Sequence, residues 1–269
     1  MIIVRHTLER LTRPLIFQRR LPAAFGNAVL YVSPAAGLRF LFTSMASIDP
    51  PLLMAAHKLV RQGDVIWDIG ANIGLFSLAA AVCAGDRGEV IAFEPDVWLA
   101  QLLRRTSAVQ PAAHARMTVV PIAVASEISL RRFSIAVRSR ASNALAGYGS
   151  SQMGGVEEQY LVATFNLDWL LAKFRIPNVV KIDVEGAELE VLRNQHRMLN
   201  EVRPVIICEV GAQTADEITR ILTSASYCLF DGEKPLDKTQ IVSRATWSTI
   251  AIPEEKASAA LRFAEDARK

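Results

Sequence analysis

Between residues 64 and 253 the apolar positions of the chain switch repeatedly between two periods. Short, largely apolar runs such as DVIWDIG (64–70), EVIAFEP (89–95), VVKIDVEG (179–186), PVIICEV (204–210) and YCLFD (227–231) have the composition of buried strands. Between them IGLFSLAAAVCA (73–84), DVWLAQLLRRTSAV (96–109), NLDWLLAKF (166–174), AELEVLRNQ (187–195) and TADEITRILTSA (214–225) carry apolar residues at helical spacing. MTVVPIAVAS (117–126) predicts a third strand and WSTIAIP (247–253) a last one. Strands that alternate with helices imply a parallel sheet covered on both faces, because each parallel strand needs a crossover.

The rhythm breaks between about 128 and 164. LRRFSIAV (130–137) and QYLVATF (159–165) alternate at period two, which predicts an antiparallel insertion. The connection between them, SNALAGYGSSQMGGVEE (142–158), holds four glycines and little apolar pattern, so a mobile loop is expected there. Upstream, IDPPLLMAAHKLVRQGD (48–64) predicts a helix capped by Asp49, with prolines in its first turn and an end near Gly63. NAVLYVSPAAGLRFLF (27–42) predicts one or two strands around Ser33-Pro34. The expected organisation is a basic helix and short-strand cap at 1–48, a main domain at 49–252, and a polar helix or tail at 253–269.

Composition adds boundaries. The 269 residues are 51% hydrophobic and 21% charged with a formal net charge of +3. Such a chain can bury a large core, and the charge is too small to argue for a nucleic-acid partner. Basic residues do concentrate in the first twenty positions, where Val4, Leu8, Leu11 and Leu15 share a helical face beside five arginines. A helix docked on the domain, or a weak membrane-surface or protein contact, would use that face. Cys83, Cys208 and Cys228 have neither zinc nor disulfide spacing, so a reducing cytoplasm is the expected location, with peripheral membrane contact as the alternative.

The richest chemistry follows the first strand of the main domain. Asp68-Ile69-Gly70-Ala71-Asn72-Ile73-Gly74 leads straight into a helix, and Glu94 stands at the end of the next strand, placed for ribose hydroxyls, with Pro95 after it. The turn is G-x-x-x-G and not G-x-G-x-x-G, and it is preceded by a carboxylate. Beside a pyrophosphate Asp68 would repel the ligand. A cofactor with a cationic amino-acid end, S-adenosylmethionine, would welcome it.

These motifs resemble those of class I S-adenosylmethionine-dependent methyltransferases. DIGANIG with VVKIDVEGAELEVL, and TFNLDWLL, PVIICEV and IAVAS in order, resemble the FkbM-type family in particular. The resemblance covers roughly 50–252. It implies a doubly wound α/β fold with a mostly parallel seven-stranded sheet and S-adenosylmethionine as donor. It also implies O-methylation of a sugar, glycan or other secondary metabolite. Asp68, Gly70, Ala71, Asn72 and Gly74 would line the methionine and ribose part, and Glu94 with Pro95 the ribose end.

A hydroxyl acceptor needs its proton removed, which makes strand-end carboxylates the candidates for catalysis. Asp183 and Glu185 follow the fourth strand and Glu209 the fifth; Lys181 ranks below them. Glu188 reads as an acid of the first helical turn, and Glu190, three residues before Arg193, as an exposed helix charge. Arg131, Arg132, Arg138 and Arg140 read as a solvated face, or as a basic rim for an anionic acceptor. Asp49-Pro50-Pro51 lies upstream of the first strand, out of place for base N-methylation. No metal site is expected, and the four histidines have no ligand spacing. A nicotinamide oxidoreductase and a non-catalytic binding protein on the same fold are the competing readings.

Overall fold

The computed structural model describes residues 15–149 and 154–266. Most of the expected N-terminal helix therefore lies outside the described residues. From Leu15 on the chain is not helical: β1 (Phe17–Arg20) pairs antiparallel with β2 (Val29–Val32). The second strand expected before residue 42 is instead a short helix, α1 (Arg39–Phe42). Its free carbonyls explain the difference, because the Arg19 guanidinium donates to the carbonyls of Phe40, Leu41 and Thr43 at 2.7, 2.6 and 2.9 Å. Helix α2 (Pro50–Leu59) starts where Asp49 accepts from the Leu52 N–H, and it ends four residues before Gly63.

The main domain then runs β3 (Val65–Ile69), α3 (Leu75–Ala84), β4 (Glu89–Phe93), α4 (Val97–Ala108) and β5 (Arg116–Val120). The insertion follows, with β6 (Ala123–Val124), β7 (Ser129–Ala136), β8 (Ala144–Leu145) and β9 (Val156–Phe165). The alternation resumes through α5 (Leu167–Leu170), β10 (Val179–Ile182), α6 (Glu188–Leu192), β11 (Val205–Glu209), α7 (Ala215–Ser224), β12 (Tyr227–Asp231), β13 (Ser248–Pro253) and α8 (Glu254–Asp266). Seven strands form one sheet in the order β12-β13-β11-β10-β3-β4-β5, with β13 antiparallel to both neighbours. This is the doubly wound, mostly parallel α/β sheet that the alternation and the resemblance implied. Chain order reverses between β3 and β10, so their carboxyl ends open the crevice where such sheets bind ligands.

Two apolar layers sandwich the sheet. One gathers α2, α3 and α8, where Ala260, Leu261 and Ala264 bury the inner face of the last helix. The other gathers α5, α6 and α7 over Trp67, Phe93 and Ile182. No helix among the described residues is long and apolar enough to cross a membrane.

Two expectations change in the insertion. The strand expected at 117–126 is two strands in different sheets, β5 beside β4 and β6 beside β9. Pro121 lies between them and has no N–H to continue a ladder. The connection expected to be mobile from residue 142 is packed at its start: Ser142, Asn143, Ala144 and Leu145 are buried, and β8 pairs with Phe133 and Ser134. Asn143 anchors it, accepting from the Ala136 N–H at 2.8 Å and donating to Asp96 at 2.7 Å. Residues 150–153 of that connection lie outside the described residues.

Candidate active site

The crevice is organised by a buried cation. β10 lies beside β3 with Lys181 opposite Asp68, so two charged side chains share one fully buried register position. Lys181 Nζ donates to the Gly70 carbonyl at 2.8 Å and lies 3.2 Å from Asp68 Oδ1 and 3.3 Å from Asp183 Oδ2. Burial alone would lower the lysine pKa, but Asp68, Asp183 and Glu209 outweigh it and hold the ammonium above its ordinary value. Asp68 also accepts from the Ser77 hydroxyl at 2.6 Å, which ties β3 to the first turn of α3.

The glycines of the turn answer to protein atoms. A Cβ on Gly70, whose φ is +75°, would stand 1.8 Å from the Asp183 carbonyl oxygen; one on Gly74 would stand 2.1 Å from Leu103 Cδ1. Ala71 packs beneath the turn against Ala92 and Leu103. Of the seven residues expected at the cofactor end, Gly70, Asn72, Glu94 and Pro95 line a narrow cleft, whereas Asp68, Ala71 and Gly74 are enclosed and border neither that cleft nor the larger cavity. The charge of Asp68 is neutralised by Lys181, which corrects the expectation that it meets a cationic ligand directly.

Glu94 closes the far side of the cleft. Its two oxygens accept the N–H of Asn72 at 2.7 Å and of Asp96 at 2.8 Å. Burial, opposed by the two accepted N–H groups, raises its pKa to about 8. Asp96 caps α4 through the Trp98 N–H and is bound from the insertion by Arg140 at 2.5 Å and Asn143 at 2.7 Å. The insertion is thereby latched across the cleft, which has a volume of about 50 Å³.

On the other side of Asn72, Asp183 and Glu185 lies a cavity of about 950 Å³. All three acids expected to be catalytic, Asp183, Glu185 and Glu209, border it. Asp183 and Glu185 border the cleft as well, so the two spaces meet at them. Burial, with Asp183 and Glu188 adding, raises Glu185 to about 7. Burial and Asp183, opposed by Lys181, raise Glu209 to about 8. Asp49 joins the same wall, and burial raises it too. The Asp-Pro-Pro that reads as a helix start is a helix start, and its acid also faces the cavity. Among the described residues no three His, Cys, Asp or Glu side chains are arranged to hold a metal ion.

The two helix acids separate differently. Glu188 is buried and accepts from the Val184 and Gly186 N–H groups, capping the turn that carries Glu185 at a left-handed φ of 54°. Glu190 is not the exposed charge expected. It accepts from Ser126 at 2.7 Å and lies 3.5 Å from Arg131, pinning the insertion to α6.

A model of the FkbM methyltransferase domain matches residues 68–229. The chain belongs to the FkbM methyltransferase family. Among characterised proteins, the hexuronic acid methyltransferase AglP of Haloferax volcanii is 31% identical over 167 residues, 61% of this chain and 64% of AglP. The match thus spans less than two thirds of that relative's length. Two solved structures align with the chain at low identity. The methyltransferase FkbM of Methylobacillus flagellatus KT aligns at a TM-score of 0.44 and 17% identity, over 74% of this chain and 49% of that one. The precorrin-6y C5,15-methyltransferase of Geobacter metallireducens GS-15 aligns at 0.43 and 14%, over 78% and 89%. At these scores neither adds to the topology described above.

The FkbM-matched segment starts at Asp68 and ends at Leu229, so Arg39, Asp49 and Trp247 reach the cavity from outside it. In the sequence Arg39 and Trp247 carry no functional signal, and Asp49 reads as a cap alone. No local motif marks them, because they converge from three separate segments. Lys181 was visible within the KIDVEG strand, but its register with Asp68 was not.

The pKa of Glu209 makes a prediction for this FkbM-family domain in its free form. A carboxyl raised from 4.5 to about 8 contributes stability that is complete below the unfolded value and lost as pH rises through the folded one. Between pH 6 and 9 the wild-type Tm should therefore fall more than that of Glu209→Gln, by on the order of 3 °C. Thermal unfolding at both pH values checks this; parallel curves would show that Glu209 titrates normally.

Proposed function

We propose that the protein methylates a hydroxyl group of a sugar or glycan, with S-adenosylmethionine as the donor. The observation that carries this is the meeting of the two spaces at Asp183 and Glu185, with carboxyls raised to about 7 and 8 on the cavity side. Membership of the FkbM family supports methyl transfer, and the named acceptor class of AglP supports a sugar.

The residues at the strand ends fit the cofactor chemically. Each Glu94 oxygen accepts one N–H and keeps acceptor capacity for a ribose hydroxyl. Gly70 and Asn72 border the same cleft beside Asp183. Its volume is far below the roughly 300 Å³ at which ligand pockets begin. Arg140, Ala141, Asn143 and Leu145, tied to Asp96 through Arg140 and Asn143, form one wall of the cleft. With Asp68 neutralised by Lys181, family membership, and not the charge of that turn, favours S-adenosylmethionine over a nicotinamide dinucleotide.

When bound, S-adenosylmethionine supplies an electrophilic methyl group. The chain's own residues do the rest. Asp183, held by Lys181, orients the acceptor hydroxyl. A carboxylate on the cavity side, Glu185 or Glu209, takes its proton, and pKa values near the working pH suit that role. The rate should rise with pH through about 7–8 as that group ionises. Calorimetric titration with S-adenosylhomocysteine and with NAD⁺, followed by transfer of labelled methyl to a panel of sugars and glycan extracts, tests the reading. Binding of NAD⁺ alone would point to an oxidoreductase, and cofactor binding with no methylated product to a silent binding protein.

A further inference from the structure

The large cavity has a mouth that the family-matched segment builds only in part. Its floor comes from the ends of β10 and β11, while Arg39 of α1, Arg138 after β7 and Trp247 before β13 stand around the opening. Trp247 is 59% exposed. An indole left in water beside a polar cavity contributes little to folding, so its flat apolar face is available to a ligand. The sheet fixes where it stands: Glu209 is opposite Ser248 in register, and the Val210 N–H donates to the Trp247 carbonyl at 2.8 Å. The indole therefore belongs to the same rim as the Glu209 carboxyl.

The arginines divide into two classes. Arg140 is committed to Asp96, and Arg131 to Glu190. Arg39 and Arg138 are exposed and form no ion pair with any described residue, although the cavity they border is lined by five carboxyl groups, those of Asp49, Asp183, Glu185, Glu209 and Glu233. Burial raises three of those five, Asp49, Glu185 and Glu209, with Glu185 at about 7 and Glu209 at about 8, so near neutral pH the last two are partly protonated and repel an anion less than full carboxylates would. A ligand that uses every part of this surface carries ring C–H groups for the indole, hydroxyls for the floor carboxyls, and a planar anion for the guanidinium forks.

We propose that Trp247, Arg39 and Arg138 form the acceptor subsite, and that it takes a pyranose bearing a carboxylate, with the ring on the indole and the carboxylate between the arginines. This rests on the reading of the protein as a sugar methyltransferase and adds to it the residues that select the acceptor. Arg39 and Trp247 lie outside the matched segment and Arg138 inside it, so acceptor choice is shared between the flanks of the domain and its insertion.

The test uses the full chain and three monosaccharide probes, methyl β-D-glucuronide, methyl β-D-glucoside and glucose 6-phosphate, titrated by saturation-transfer NMR with S-adenosylhomocysteine present. The glucuronide should bind at least about 10-fold tighter, a difference of roughly 1.4 kcal/mol. The Arg39→Gln/Arg138→Gln double variant should bring it to the level of the glucoside. Trp247→Ala should weaken both methyl glycosides by a similar factor, and neither variant should change S-adenosylhomocysteine affinity. Equal binding of the two methyl glycosides, binding of neither, a preference retained in the arginine double variant, or tighter binding of glucose 6-phosphate than of the glucuronide would each overturn the subsite. Failure to bind S-adenosylhomocysteine is read in a separate calorimetric arm and counts against the methyltransferase reading, while the sugar preference still stands or falls on its own titration.

Discussion

Asp183→Asn is expected to lower kcat by about 10²-fold or more while S-adenosylhomocysteine affinity changes by less than about threefold. Asp183 is one of the side chains at which the two spaces meet: it borders the cleft beside Gly70 and Asn72 and the cavity beside Glu209. Its backbone stays in place in the variant, since its N–H donates to the Ile69 carbonyl at 3.0 Å regardless of the side chain. What changes is charge. Asparagine cannot neutralise Lys181 Nζ, 3.3 Å away, and an ammonium left with Asp68 alone then favours ionisation of Glu185 and Glu209. The pH–rate profile of the variant should therefore shift to lower pH as its plateau falls. Full turnover with an unchanged profile would remove Asp183 from the mechanism.

Gly70→Ala is the second large effect, and it acts through the fold. The added methyl would lie 1.8 Å from the Asp183 carbonyl oxygen, a backbone atom held by the β3–β10 ladder that cannot swing aside. Positive φ adds strain. A loss on the order of 3–5 kcal/mol is expected, lowering Tm by about 10 °C or preventing accumulation of folded protein. Gly63→Ala separates the two causes, because Gly63 has φ +84° with nothing within 4 Å of its Cβ position. That control should cost only about 1 kcal/mol. Equal losses in the two variants, measured by denaturant unfolding, would mean that the contact with Asp183 contributes nothing.

Legibility followed the range of the interactions. Asp49 was visible as a cap because it accepts from an N–H three residues away, and Pro50 prefers the first helical position. The YCLFD strand was read at its observed limits since its burial is written in its composition. Errors gathered where a distant partner decided the outcome. Phe40 to Phe42 became helix once Arg19 was there to take the carbonyls. Residues 142–145 became core once Asp96 received Asn143, and Glu190 left solvent for Ser126 across the insertion. The same rule applies at the site: DIGANIG and KIDVEG could be located separately, but the contact between Gly70 and the Asp183 backbone could not.

By itself the sequence determined the α/β alternation, the family, and which acids stand at strand ends, because periodicity, turn residues and motif spacing act over a few positions along the chain. Only the tertiary structure decided that Lys181 neutralises Asp68, that burial raises Glu185 and Glu209 toward neutrality, and that Arg39, Arg138 and Trp247 share one cavity mouth. Charge coupling and desolvation depend on distance through space and on excluded water, and neither is recorded in the order of residues along a chain.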